Sequence, residues 1–443
     1  MSGMNEIASW RREGAVAVLK IDSPPVNALS HAVRIALHEG VTRAAEDDAV
    51  KALVILCGGR TFFAGADITE FGKPIQPPLL KNIMAVIEAS TKPVIAAMHG
   101  NALGGGLEVA LACHYRVALA STRIGLPESA LGLLPGAGGT QRVPRLIGVE
   151  KAVEMIVFGE PYPAPRAREL GLIDAVIAGD DLEAGAIAYA LELVDGNAPL
   201  RRVRDQAPDL DRDAARALFA RFRADHPKLF RNLRAPENIL RAIEAAVILP
   251  FDEGIAREAE LSRELVASPE SAAQRHIFFA ERAAAKLPAK VAEDAVPTIA
   301  AVRIVGDHTD DLSAIFARAG FSLARDGVAE ADLVVITADN PDEYAAQVRT
   351  AAHAAPRALI AVTGAWEALD RIAGASGRPD GVFGLNLRPA NATDDVLEIA
   401  RTATTGAGAL AAALNVARKL RRMPVVVAAG DGLLIARMTE CLQ

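Results

Sequence analysis

The chain has 443 residues, 51% hydrophobic and 23% charged, which is too long for one core and describes a globular protein of two or three domains. A net charge of -7, with no block of five or six basic residues, argues against a nucleic-acid partner. Cys57, Cys113 and Cys441 stand far apart without CxxC spacing, so neither a disulfide framework nor a metal site is expected. No apolar run reaches membrane-spanning length and the N-terminal MSGMNEIASWRREG has no apolar leader core; a cytoplasmic protein with no membrane association is expected.

In chain order, residues 1–197 alternate β-rich runs with helical patterns. Strands are predicted at Ala15–Ile21, Ala52–Cys57, Pro93–Met98 and Tyr115–Ala120, and helices at His31–Ala45 and Pro78–Ala89. The alternation implies an α/β unit on largely buried strands, and spacing alone admits either a spiral of ββα turns or a doubly wound sheet. Residues 198–290 read as a helical region, cut into short helices by Pro208, Pro227, Pro236 and Pro250. Across 297–443 a second α/β pattern runs strand AAVRIVG, helix, strand-like FSLAR, strand ADLVVIT, helix, strand RALIAVT, a Rossmann-like order. A helix at Gly408–Arg422 and an apolar PVVVAAGDGLLIARM follow.

The chemistry concentrates in Asn101–Arg142, NALGGGLEVALACHYRVALASTRIGLPESALGLLPGAGGTQR. Two glutamates, Glu108 and Glu128, stand in a mostly apolar segment beside a triple glycine and a Gly-Ala-Gly-Gly turn. Carboxylates in apolar surroundings suit proton transfer, and glycines opening a helix offer backbone N–H groups to a developing oxyanion. Gly104-Gly105-Gly106 leads into a helical LEVALAC, so its amides lie at a helix N-terminus, and Glu108 falls in the first turn. Read singly, each glutamate is an ordinary surface or loop carboxylate and each glycine only a turn. Their order and separation favour a site.

Together with Phe63-Ala64-Gly65-Ala66-Asp67-Ile68, this stretch resembles the crotonase (enoyl-CoA hydratase/isomerase) superfamily, with most similarity to the hydratase half of bifunctional hydratase/3-hydroxyacyl-CoA dehydrogenases. The resemblance implies an N-terminal spiral of ββα turns that adds water to an enoyl-CoA thioester without a cofactor. It assigns the oxyanion donors to the amides of Ala66 and Gly105, the water-activating carboxylate to Glu108 and the proton donor at Cα to Glu128. It places Gly136 along the acyl pocket, and Ala64, Ala66 and Ile68 where the CoA adenine is met. It likens Ser268–Pro288 to the linker helix of the bifunctional enzymes, with Ile277-Phe278-Phe279 expected to be buried and the chain expected to be a monomer. A Δ3,Δ2-enoyl-CoA isomerase, using Glu128 alone, and a CoA-thioester-binding scaffold are the competing readings.

Other motifs carry less. Cys113-His114 lacks an orienting group and reads as a packed helix end, and His99 reads as structural. HExxH, GxSxG and Walker A patterns are absent from the sequence. In the C-terminal part the dinucleotide turn reads Gly306-Asp307-His308-Thr309-Asp310-Asp311, with one glycine left of GxGxxG and three acids facing a would-be diphosphate. Asp326, 20 residues beyond Gly306, is weak as a ribose-binding acid. By resemblance, Asn386 stands where the dehydrogenase carries its histidine, Glu398 is the glutamate that would orient it, and Ala436 replaces a catalytic asparagine. Asparagine cannot act as a base. The expectation is a degenerate Rossmann-like domain that has lost NAD binding.

Overall fold

The computed structural model describes residues 2–5, 7–67, 70, 74, 76–284, 296–307, 309–324, 327–387 and 396–430. The chain divides into two units, Met1–His276 and Ile277–Gln443. The first therefore takes in most of the helical stretch that begins at residue 198.

The first unit opens with β1 (Ser2–Asn5), β2 (Ala8–Glu13), β3 (Val16–Ile21), α1 (His31–Glu46), β4 (Ala52–Cys57), α2 (Leu80–Ala89) and β5 (Val94–Met98). It continues with β6 (Asn101–Leu103), α3 (Gly105–Ala112), β7 (Tyr115–Leu119), β8 (Arg123–Gly125), α4 (Gly139–Ile147), α5 (Val149–Phe158), β9 (Tyr162–Pro163), α6 (Ala164–Glu169), β10 (Ala175–Ile177) and α7 (Leu182–Asp195). One sheet has the order β1-β2-β3-β4-β5-β7-β10, and a small second sheet has the order β6-β8-β9. From β3 onward the large sheet is parallel, in register Val16↔Ala52, Leu53↔Val94 and Ile95↔Tyr115. Its central strands are buried on both faces, which is why ALVILC and VIAAM read as unbroken apolar runs. The chain passes from β5 to β6 and from β7 to β8, leaving the large sheet for the small one each time. This is the expected spiral. Helix α1 shows how its parts form: Ser30 caps it by accepting from the Val33 amide, and Val33, Ala36, Leu37, Val41 and Ala44 give it one buried stripe.

Four further helices follow: α8 (Arg212–Asp225), α9 (Ala235–Ile248), α10 (Phe251–Val266) and α11 (Pro269–Ala284). Ile239, Leu240, Ala242 and Ile243 of α9 and Leu261 and Leu265 of α10 join the main core of the first unit. The burial expected for Ile277-Phe278-Phe279 is not found, since Ile277 is 55% exposed. Phe278 and Phe279 are half-buried, shielded by each other and by the Arg282 guanidinium over the Phe278 ring.

The second unit holds β11 (Ala301–Val305), α12 (Thr309–Arg318), β12 (Ser322–Leu323), β13 (Leu333–Ile336), α13 (Pro341–Ala354), β14 (Leu359–Val362), α14 (Leu369–Ala375), β15 (Val382–Leu385), β16 (Val396–Arg401), α15 (Ala407–Lys419) and β17 (Met423–Ala428). The strand order is β12-β11-β13-β14-β15-β16-β17, parallel except between β15 and β16. Leu312, Phe316 and the alanine-rich face of α15 cover one side, and Tyr344, Val348, Leu369 and Ile372 cover the other. It is a doubly wound sheet with its switch point at the end of β11, where Gly306 turns (φ +105°).

Candidate active site

The glycine run does what its position suggests. Gly104 donates to the Gly125 carbonyl at 2.9 Å, tying the start of α3 to β8, and Gly105 begins the helix, so its amide has no partner within the helix. A Cβ built on Gly105 would lie 3.7 Å from the Ala66 nitrogen, so the two amides named as oxyanion donors are neighbours. A parallel bridge between Leu29 and Ala66 holds the second of them.

Glu108 is 3% exposed in the first turn of α3. Its Oε1 accepts from the amides of Ala137 and Gly139, both at 2.8 Å. Burial raises its carboxyl above the usual range, and the two amides and the Arg142 guanidinium work against that rise. Glu128 begins a short 3-10 turn, Glu128–Leu131, after Pro127. Its Oε1 would be 2.9 Å from a Cβ on Gly104, and among the described residues its shielded Oε2 has no hydrogen-bond partner. Burial first, and then the charge of Glu108, hold Glu128 well above the usual carboxylate range. The structure therefore brings Ala66, Gly105, Glu108 and Glu128 together. Gly136 is exposed one residue before the Ala137 amide, and Ala64 is half-buried and donates to the Val26 carbonyl at 3.3 Å. Ile68 lies outside the described residues.

A third carboxylate reaches the same place. Glu258, on α10, is 1% exposed and accepts from the amides of Gly138 at 2.7 Å and Thr140 at 3.2 Å, while the Thr140 hydroxyl lies 2.5 Å from its Oε2. Burial and then the Glu108 charge push it up to about 8. The motif reading overlooks this residue; its signal is the stripe Gly254, Glu258, Leu261 and Leu265, which faces a glutamate inward. From α11, Ser271 donates to the Leu131 carbonyl at 3.0 Å at the end of the Glu128 turn.

The remaining candidates are structural. The His114 ring is fully buried and accepts from the Val94 amide at 3.1 Å, and burial, with Arg202 and Arg116, lowers it to about 4. Burial pushes the Cys113 thiol up to about 12. His99 is bonded to the Gly59 carbonyl at 3.1 Å. In the second unit a cavity of about 430 Å³, lined by Arg303, Gly306, Thr309, Ser313 and Leu323, lies among β11, β12 and the start of α12. Asp310 and Asp311 occupy the first turn of α12, and the Asn386 amide donates to Glu398 Oε2 at 2.8 Å. His308, Asp326, Asp431 and Ala436 lie outside the described residues. Among the described residues no group of three or more His, Cys, Asp or Glu side chains could hold a metal ion, and no helix is long and apolar enough to cross a membrane.

A family model described as enoyl-CoA hydratase/isomerase matches residues 11–244. A peroxisomal bifunctional enzyme of Danio rerio is 43% identical over 276 residues, covering 61% of this chain and 38% of its own. The Homo sapiens enzyme of the same description is 41% identical, covering 62% and 38%. A glyoxysomal fatty acid beta-oxidation multifunctional protein of Cucumis sativus is 38% identical, covering 66% and 42%. The chain thus spans about two fifths of the length of the curated relatives it matches. Their peroxisomal and glyoxysomal descriptions overturn the expectation of a cytoplasmic protein. That expectation rested on a missing apolar leader, whereas peroxisomal import is read from a short receptor-bound address that leaves no apolar segment.

Proposed function

We propose, for a chain that belongs to the enoyl-CoA hydratase/isomerase family, that it adds water across the α,β double bond of an enoyl-CoA thioester. The observation that carries this reading is a pair of carboxyls whose environments differ, the buried Glu108 and the half-buried Glu128 with its shielded Oε2, beside two neighbouring amides at the start of α3. Held by two amides and Arg142, Glu108 is the base; Glu128, raised by burial and by the Glu108 charge, keeps its proton and is the acid. Glu108 takes a proton from water as the oxygen bonds to C3, and the electron pair of the double bond moves toward the thioester. The Ala66 and Gly105 amides receive the negative charge on the thioester oxygen, and Glu128 delivers its proton to C2. Return of the proton from Glu108 to Glu128 restores the starting state.

Gly136 would line the acyl pocket, and Ala64, Ala66 and Ile68 would meet the CoA adenine. Isomerisation is a second reading favoured by the unpartnered Oε2 of Glu128, which can carry a proton between two carbons. The second unit does not fit NAD: Asp310 and Asp311 stand where α12 would meet a diphosphate, and the Asn386 amide is committed to Glu398. We assign it no redox step. Helices α8 to α10 would cover the hydratase unit within one chain and leave it monomeric. Disappearance of enoyl absorbance from crotonyl-CoA, with and without NAD, tests the activity. Glu108→Gln and Glu128→Gln should each lower the rate by about 100- to 10,000-fold, and undiminished hydration in both variants sinks the assignment.

A further inference from the structure

The hydration scheme makes no use of Glu258, which also lies beyond the residues 11–244 matched by the family model. Helix α10 delivers it on a stripe at four-residue spacing, Gly254, Glu258 and Ser262. Gly254 lets α10 lie against α4, since a Cβ there would fall 2.2 Å from Gln141 Oε1. At the other end Ser262 Oγ would be 2.9 Å from a Cβ on Gly136. Between these contacts the Glu258 carboxyl reaches the turn that starts α4.

Four successive amides of that turn are shared alternately. Ala137 and Gly139 donate to Glu108, and Gly138 and Thr140 donate to Glu258. Consecutive N–H groups at a helix start form a cradle for negative charge, and here two carboxyls saturate it. Without Glu258, the Gly138 and Thr140 amides would be buried donors with no acceptor, so the turn would rotate to find another. The same rotation would withdraw Ala137 and Gly139 from Glu108.

We propose that Glu258 is a positioning residue for Glu108: by holding the Gly138 and Thr140 amides it aims the Ala137 and Gly139 amides at Glu108 Oε1 and leaves Oε2 for the water. The proposal deepens the hydratase reading and rests on it. The charged groups that face Glu258 are Glu108 from α3, Glu128 from the 3-10 turn and Arg142 from α4. Burial first, and then the Glu108 charge, push Glu258 up to about 8, with Thr140, the Gly138 amide and Arg142 working against that rise.

Steady-state hydration of crotonyl-CoA by the full chain, with circular dichroism and thermal melts, tests this in Glu258→Gln, a near-isosteric variant, and Glu258→Ala. The expected result is a folded Glu258→Gln protein whose kcat falls by about 100-fold while KM is little changed, as for a misaimed group. A stability loss with unchanged kcat would mean a plain helix cap and overturns the proposal. A second readout needs no activity: the 13C carboxyl resonance of Glu258 should titrate near 8 and move down when Glu108→Gln removes the neighbouring charge. A midpoint unmoved by that change also overturns the proposal. If the wild-type chain fails to hydrate crotonyl-CoA but the midpoint moves, the shared turn is supported and the hydratase reading alone falls.

Discussion

Replacing Gly106 by alanine would disturb the proposed oxyanion geometry while leaving both proposed catalytic carboxyls in the chain. A Cβ on Gly106 falls 2.0 Å from the Phe63 carbonyl oxygen and 2.7 Å from its carbon. Real Cβ atoms stay beyond 3.0 Å, so Phe63 and the first turn of α3 must part by the difference between 3.0 and 2.0 Å, 1.0 Å at least. Phe63 is fully buried and stands three residues before Ala66, so little of that shift can be absorbed before it reaches the Ala66 amide. Misplacement of this size costs about 100-fold in rate, and overpacking costs about 1–3 kcal/mol in stability. Crotonyl-CoA kinetics and thermal unfolding of Gly106→Ala measure both. Gly374→Ala, in α14, is the control, because nothing lies within 4 Å of a Cβ there, and it should keep the full rate. Wild-type hydration with an unaltered Tm in Gly106→Ala would refute the reasoning.

Three other outcomes are expected. Glu258 is raised to about 8 from an ordinary 4.5, so the folded state holds a proton that the unfolded state releases. Its stabilising contribution is full below about pH 4.5 and lost as pH rises through about 8; Tm should fall over that window, and less steeply in Glu258→Gln. Calorimetry should show no NADH binding by the full chain, and Asn386→His should not bring 3-hydroxyacyl-CoA oxidation, measured as NADH formation. Light scattering should report the mass of one chain, and a stable trimer would contradict the intramolecular cover.

What could be read without coordinates depended on how far apart the cooperating residues lie. The strands β4 and β5 announce themselves because parallel strands buried on both faces need continuous apolar runs, and β3 and β7 stay readable although Lys20 and Arg116 interrupt them. Strands β6, β8 and β9 have two or three residues each, too few to show a period. In β2, the inward Ala8 and Trp10 alternate correctly, but Arg11, Arg12 and Glu13 hide the pattern. Glu108 and Glu128 stand out as candidates because glycine turns flank them in one continuous stretch. Glu258 does not: it meets Gly138 across 120 residues, on a helix where Asp252, Glu253, Glu260 and Glu264 are equally acidic. Only its place on the Gly254, Leu261 and Leu265 stripe separates it from them. Phe278 misled in the opposite direction, since an aromatic pair with an arginine over one ring stays half in water.

The grip of α10 on the α4 turn sets where this protein can be joined to others. A gene fusion or recombination breakpoint placed near residue 197 would preserve every motif that marks the site and yet discard the partner of the Gly138 and Thr140 amides. Breakpoints that spare these contacts lie beyond Ser271, which holds the Leu131 carbonyl at the end of the Glu128 turn. The portable piece is then longer than its signature motifs suggest, and the first compact unit, which closes at His276, has the length such a piece requires.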